Sequence, residues 1–94
     1  MPPYDIELSD DAAAVLAALP VDVISCVSNH LEALADKPIE LGRRAAFPYR
    51  PQGMIYEFWC DSGQETYFIT VFFHYVAGQS ALRVFAIGFR AYKQ

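Results

Sequence analysis

Apolar and polar residues alternate along three segments near the C-terminal end of the chain. These are MIYEFWC from Met54, ETYFITVFFHYV from Glu65 and SALRVFAIGF from Ser80. A period of two sends successive side chains to opposite faces of a sheet, so the segments predict three consecutive β-strands. The joints DSGQ and AGQ are short enough for two hairpins. A Ser62-Gly63 turn in the first sets Cys60 opposite Glu65 and Trp59 opposite Thr66. A loop of Ala77, Gly78 and Gln79 in the second sets His74 opposite Leu82 and Phe72 opposite Val84. Directly opposed residues share a face. One face then carries Tyr56, Phe58, Tyr67, Ile69, Val71, Phe73, Tyr75, Phe85, Ile87 and Phe89, with Arg83 near a strand end. It is large and apolar, and helices are expected to cover it. The other face carries Glu57, Trp59, Thr66, Phe68, Thr70, Phe72, His74, Val84, Ala86, Gly88 and Arg90. A one-residue slip in the second loop would exchange the faces of the last strand.

The N-terminal half supplies the cover. Tyr4, Ile6 and Leu8 alternate with Asp5 and Glu7, the pattern of a short strand. Ser9 follows as a helix N-cap, with Asp10 and Asp11 in the first turn, where the helix dipole favours negative charge. A short alanine-rich helix runs to Pro20. A second begins at or just after Pro20, with Val23, Val27, Leu31 and Leu34 at helical spacing, and ends at Pro38. The two form an αα-hairpin. His30 lies beside the apolar stripe and reads as a half-buried boundary residue. The stretch from Pro38 to Gly53 reads as an irregular connector.

Composition narrows the function classes. Ninety-four residues make one domain, residues 1–94. The hydrophobic fraction of 54% belongs to a folding sequence, not a disordered one. Net charge is −4 with a pI near 4.9, so the bulk protein does not attract phosphate backbones; a nucleic-acid role needs a local basic patch. The connector holds the densest one, Arg43, Arg44 and Arg50. The N-terminus has no signal-peptide pattern, and no apolar run approaches the ~20 residues that span a bilayer. Cys26 and Cys60 fall on a helix and a strand, and they are expected as thiols in a reducing, cytoplasmic setting. His30 and His74 show no ligand spacing with them, so neither metal nor other cofactor is expected.

The mixed face is the candidate surface. Trp59, Phe68 and Phe72 are costly to leave in water, and such a patch usually meets a partner, a second copy of the chain included. Ala86 and Gly88 lay down a shallow depression. Arg90 closes one end of it, with Tyr92 two residues on. His74 stands too far along the sheet to share a small site with Arg90.

The order strand, helix, helix, three antiparallel strands resembles the RelE/ParE toxin superfamily of bacterial toxin–antitoxin systems. The resemblance rests on YDIELSDDA, LEALADKP, GRRAAFPYRPQGMIYEFW and VFAIGFRAY, and covers nearly the whole chain. It implies an α+β fold with both helices packed on one face of the sheet, and a cognate antitoxin as partner. Its RelE-like branch implies cleavage of messenger RNA on the ribosome, an endoribonuclease activity. Arg90 and Tyr92 then occupy functional positions, Glu57 offers a general base, and Arg43, Arg44 and Arg50 assist RNA binding. Lysines frequent in that branch are replaced here by Glu57 and Trp59, and phosphoryl chemistry needs cations at such places. Its ParE-like branch implies inhibition of DNA gyrase through protein contacts, which the aromatics and the acidic net charge fit better. The alternative from another class is a non-catalytic interaction module or homodimer that keeps the fold without the basic site.

Overall fold

The computed structural model describes residues 3–44 and 53–94. Among them the chain forms β1 (Asp5–Leu8), α1 (Asp10–Ala17), α2 (Val21–Asp36), α3 (Pro38–Leu41), β2 (Arg43–Arg44), β3 (Met54–Ser62), β4 (Glu65–Tyr75) and β5 (Ala81–Lys93). The strands build one five-stranded sheet in the order β1-β5-β4-β3-β2. The β3–β4–β5 meander is antiparallel, and β1 joins its far edge parallel to β5. The predicted α+β arrangement is present. Two elements arise inside the stretch read as a connector. Pro38 does mark the end of α2, but it also opens α3, where its missing N–H costs nothing. Arg43 and Arg44 pair with Ile55 and Met54 as β2.

The helices cover one face of the sheet. Val23, Val27 and Leu34 of α2, Ala12 of α1, and Ile69, Val71, Phe73, Leu82 and Val84 of the sheet are all fully buried together. Burying side chains of this size contributes roughly 1.5–3 kcal/mol each, so this layer is the main source of stability.

The first hairpin turns at Gly63-Gln64, not Ser62-Gly63. Gly63 takes φ 57°, the left-handed region that a glycine-first two-residue turn requires. The register moves by two residues, Cys60 pairing with Tyr67 and Trp59 with Phe68. An even shift leaves every side chain on its expected face. The second hairpin differs more. Thr70 pairs with Gly88 and Phe72 with Ala86, but Phe73 pairs with Val84. This bulge inserts one residue into β5 and exchanges the faces beyond it. Val84, expected on the open face, is fully buried. Arg83 and Phe85, expected among the helices, lie on the open side, Arg83 opposite His74 and Phe85 against the rings of Phe72 and His74.

Ser9 holds the bulge in place. Its backbone N–H donates to the Val84 carbonyl at 2.9 Å, and its hydroxyl donates to the Phe85 carbonyl at 3.1 Å. The same hydroxyl accepts from the Ala12 N–H at 3.1 Å and caps α1. One side chain therefore serves a helix end and an irregular strand. Ser9→Ala is expected to destabilise by about 1–3 kcal/mol, more than a cap alone, because the hydrogen bond to the Phe85 carbonyl is lost as well. Chemical denaturation of the two proteins measures this. Gly42 offers a second check. A Cβ there would lie 2.5 Å from the Phe73 ring and 2.9 Å from the Pro38 carbonyl oxygen. Gly42→Ala is expected to cost about 1–3 kcal/mol by overpacking, read as a lowered denaturation midpoint.

Candidate functional site

The open face is organised in rows running across β3, β4 and β5. One row is Trp59, Phe68 and Arg90; the next is Glu57, Thr70 and Gly88; on the other side lie Asp61, Thr66 and Tyr92. Phe68, Thr70, Phe72, Gly88, Phe89, Arg90 and Tyr92 line a shallow trough of about 460 Å³. Gly88 is its floor, and the absence of a side chain there is what makes the depression. Of the two residues expected to form the depression, Gly88 lines it and Ala86 does not; Arg90 and Tyr92 line it as well.

Aromatic rings form its rim. Trp59 packs against Phe68 at 4.8 Å and Tyr92 at 5.9 Å between ring centroids. Trp59 nonetheless stays 57% exposed and Tyr92 46%. Phe72 and Phe85 make a second group toward the other end, where His74 stacks on Phe85. Beyond the Trp59 group, Gln94 donates to Thr66 at 2.6 Å, and Thr66 donates to Asp61 at 3.1 Å. These polar bonds fasten the tail of β5 beside the aromatic rim.

The charges are arranged differently from the sequence expectation. Arg90 makes no ion pair or side-chain hydrogen bond among the described residues. Glu57, expected as a general base, pairs with Arg43 on β2 and not with Arg90. Arg43 was counted with Arg44 and Arg50 as an RNA-binding cluster. Arg43 and Arg44 are consecutive in a strand, so they point to opposite sides of the sheet, and Arg44 lines a separate cleft with Met54, His74 and Tyr75. Arg50 lies outside the described residues. The basic cluster thus divides, Arg43 beside Glu57 and Arg44 in its own cleft, while Arg90 alone of the described cations lines the trough. One strand, β4, separates Glu57 from Gly88, so they stand two inter-strand spacings apart, roughly 10 Å at ~4.8 Å each.

The covered face holds the largest departure. Cys26 of α2 and Cys60 of β3 are joined by a disulfide, with Cα atoms 6.0 Å apart, where free thiols were expected. Both residues were correctly assigned to elements. That the helix lies over that strand was not readable from either. His30, one helical turn beyond Cys26, stacks on Phe58 at 3.9 Å, and its Nδ1 lies 2.7 Å from the Tyr56 hydroxyl. Burial lowers the His30 pKa from its ordinary 6.5 and raises that of Tyr56 above 10.0. His30 is the half-buried boundary residue expected. Its closeness to both cysteines was missed, although the Cys26–His30 separation of four on a helix is itself a same-face spacing.

No protein-family model matches the chain, and no curated protein does. Among solved structures, the chain is similar to a chain of the RelBE2 toxin–antitoxin complex from Mycobacterium tuberculosis. The TM-score is 0.71 at 13% identity, covering 94% of this chain and 99% of that one. At that identity the likeness establishes a shared fold, and the RelE-like α+β arrangement expected from the sequence is the one found.

The ion pair between Arg43 and Glu57 is exposed, its side chains 65% and 30% accessible. Arg43→Ala is therefore expected to change unfolding free energy by less than about 1 kcal/mol, measured in urea. A larger loss would show that β2 depends on the pair.

Proposed function

We propose that the chain is the toxin-like component of a bacterial toxin–antitoxin pair, working through the open face of its sheet. The observation that carries this reading is the near-complete overlay on a chain of a toxin–antitoxin complex, with a trough on the face of the sheet opposite the helices. The partner in this reading is a cognate antitoxin, and the working compartment is the cytoplasm.

Arg90 is the charged contact of the trough. A guanidinium with no competing carboxylate suits a phosphate or a carboxylate on the target, because its planar fork donates two parallel hydrogen bonds. Trp59, Phe68 and Tyr92 provide flat apolar area beside it, which suits a nucleobase or an apolar protein side chain. Glu57 is held by Arg43 as an oriented carboxylate, the form a general base needs. In a ribonuclease reading, Glu57 takes the proton of the attacking 2′-hydroxyl and Arg90 stabilises charge on the phosphate. In a gyrase-directed reading, the aromatics make the contact and no bond is cleaved.

A second reading, the non-catalytic interaction module or homodimer, is favoured by one specific feature. Among the described residues the trough is lined by one cation, Arg90, while the protein as a whole is acidic. Electrostatic attraction to RNA scales with the number of phosphates neutralised, so one arginine gives little.

Tightly controlled induction in a bacterial host tests these readings. Growth arrest by the parent chain is expected. Relief by Arg90→Ala, with new 3′ ends on messenger RNA lost in that variant, identifies the ribonuclease. Relief only by Trp59→Ala identifies a protein target. Gly88→Val is expected to relieve arrest in either case, because it fills the trough. An added Cβ there meets Phe72 at an ordinary 3.7 Å, and circular dichroism of the variant checks that the fold is kept. Soluble expression without arrest overturns the toxin reading in favour of the interaction module.

A further inference from the structure

We propose that Cys26, His30 and Cys60 bind one zinc ion when the disulfide between the cysteines is reduced. Their ligand atoms all lie within 4.8 Å of one another, on the side of the sheet opposite the trough. Two thiolates and one imidazole are a donor set that zinc takes readily, at roughly 2.3 Å from sulfur and 2.0–2.1 Å from nitrogen. On reduction the two sulfurs move apart to tetrahedral spacing about the ion while the imidazole nitrogen closes in, which side-chain rotations accomplish.

The elements present the ligands as a zinc site requires. Cys26 and His30 are one turn apart on the same side of α2, and Cys60 faces them from β3. Metal-bound histidines usually give their second ring N–H to an oxygen, which fixes the ring and raises its basicity. Here the Tyr56 hydroxyl stands 2.7 Å from Nδ1, which leaves Nε2 for the ion. Phe58, parallel to the imidazole within 13°, limits its tilt. Cys26 and His30 are half-buried, so an ion can reach the site from solvent, while Cys60 is buried beneath. The fourth zinc position is left to water or another small donor.

The disulfide closes this site, since sulfurs bonded to each other are not thiolates. A dithiol reductant opens it by exchange. It gives two electrons and two protons to the Cys26–Cys60 bond and leaves as its own disulfide. Zinc then displaces the two thiol protons into solvent. A reducing cytoplasm would hold the chain in the open form. The inference does not depend on the toxin reading, because it concerns the other face of the sheet.

The test uses the full chain, treated anaerobically with a phosphine reductant and titrated with cobalt(II) as a spectroscopic substitute for zinc. One equivalent is expected to bind, with thiolate-to-cobalt charge transfer in the near ultraviolet and tetrahedral d–d bands that zinc abolishes. The oxidised chain is expected to show neither. His30→Gln is expected to lose the tetrahedral bands, and Tyr56→Phe to weaken binding by about 10–100-fold at unchanged stoichiometry. Circular dichroism follows the fold throughout. A folded reduced chain that takes up no cobalt overturns the proposal. So does binding indifferent to His30→Gln, or a reduced chain that unfolds and is not restored by zinc.

Discussion

The seam between α2 and β3 is the constraint on which the rest of the structure depends. Asp22 accepts from the Ser62 hydroxyl at 3.0 Å, Cys26 is bonded to Cys60, and His30 meets Phe58 and Tyr56. Helix and strand therefore run antiparallel, with four helical residues set against two to four of the strand. Four residues of helix advance roughly 6 Å, and two of strand roughly 6.6 Å. The two rises nearly agree, so contacts repeat along the seam with little drift. The disulfide closes a separation of 34 residues. By loop entropy that contributes about 3–4 kcal/mol, a sizeable share of what keeps a small domain folded. With α2 fixed along β3, its apolar stripe joins residues of β4 and β5 in one core cluster, and among the described residues the helices lie on that face of the sheet.

The bulge in β5 settles what that uncovered face looks like. Without it, Arg83 would point into the helices and Val84 into water. With it, Val84 completes the core and Arg83 reaches Glu7 at 3.5 Å. The irregularity falls where β1 ends its pairing and the chain turns into α1, and Ser9 serves all three elements. Beyond the bulge β5 returns to the expected phase, so Gly88, Arg90 and Tyr92 stand where the trough needs them. Core and trough therefore share one strand but are phased independently.

Much of this was legible in the sequence because it rests on periodicity. The alternation in β3, β4 and most of β5 sorted the faces, and it did so even with the first turn displaced, because an error of two residues preserves parity. The stripe of Val23, Val27, Leu31 and Leu34 defined α2. Three kinds of feature were not legible. Residues at the bulge followed a pattern that a single inserted residue inverts, and nothing in RVFAI marks the insertion. A strand as short as Arg43–Arg44 has no period to detect, so the partner of Glu57 stayed hidden. The Cys26–His30–Cys60 cluster needed the placement of a helix over a strand, a tertiary fact that neither segment carries alone. The site on the open face was readable as a set of residues, but the allocation of its charges was not.

The pairing of β1 with β5 joins segments 76 residues apart. A chain emerging from the ribosome makes its first strand long before the partner of that strand exists. Until then β1 has no neighbour, Ser9 has no carbonyl to reach, and the arginine and tyrosine of the trough have not been synthesised. Contacts this distant in sequence form late and cost loop-closure entropy. The surface proposed to act on the cell is thus completed only once β5 has been made, and a product truncated before β5 lacks it.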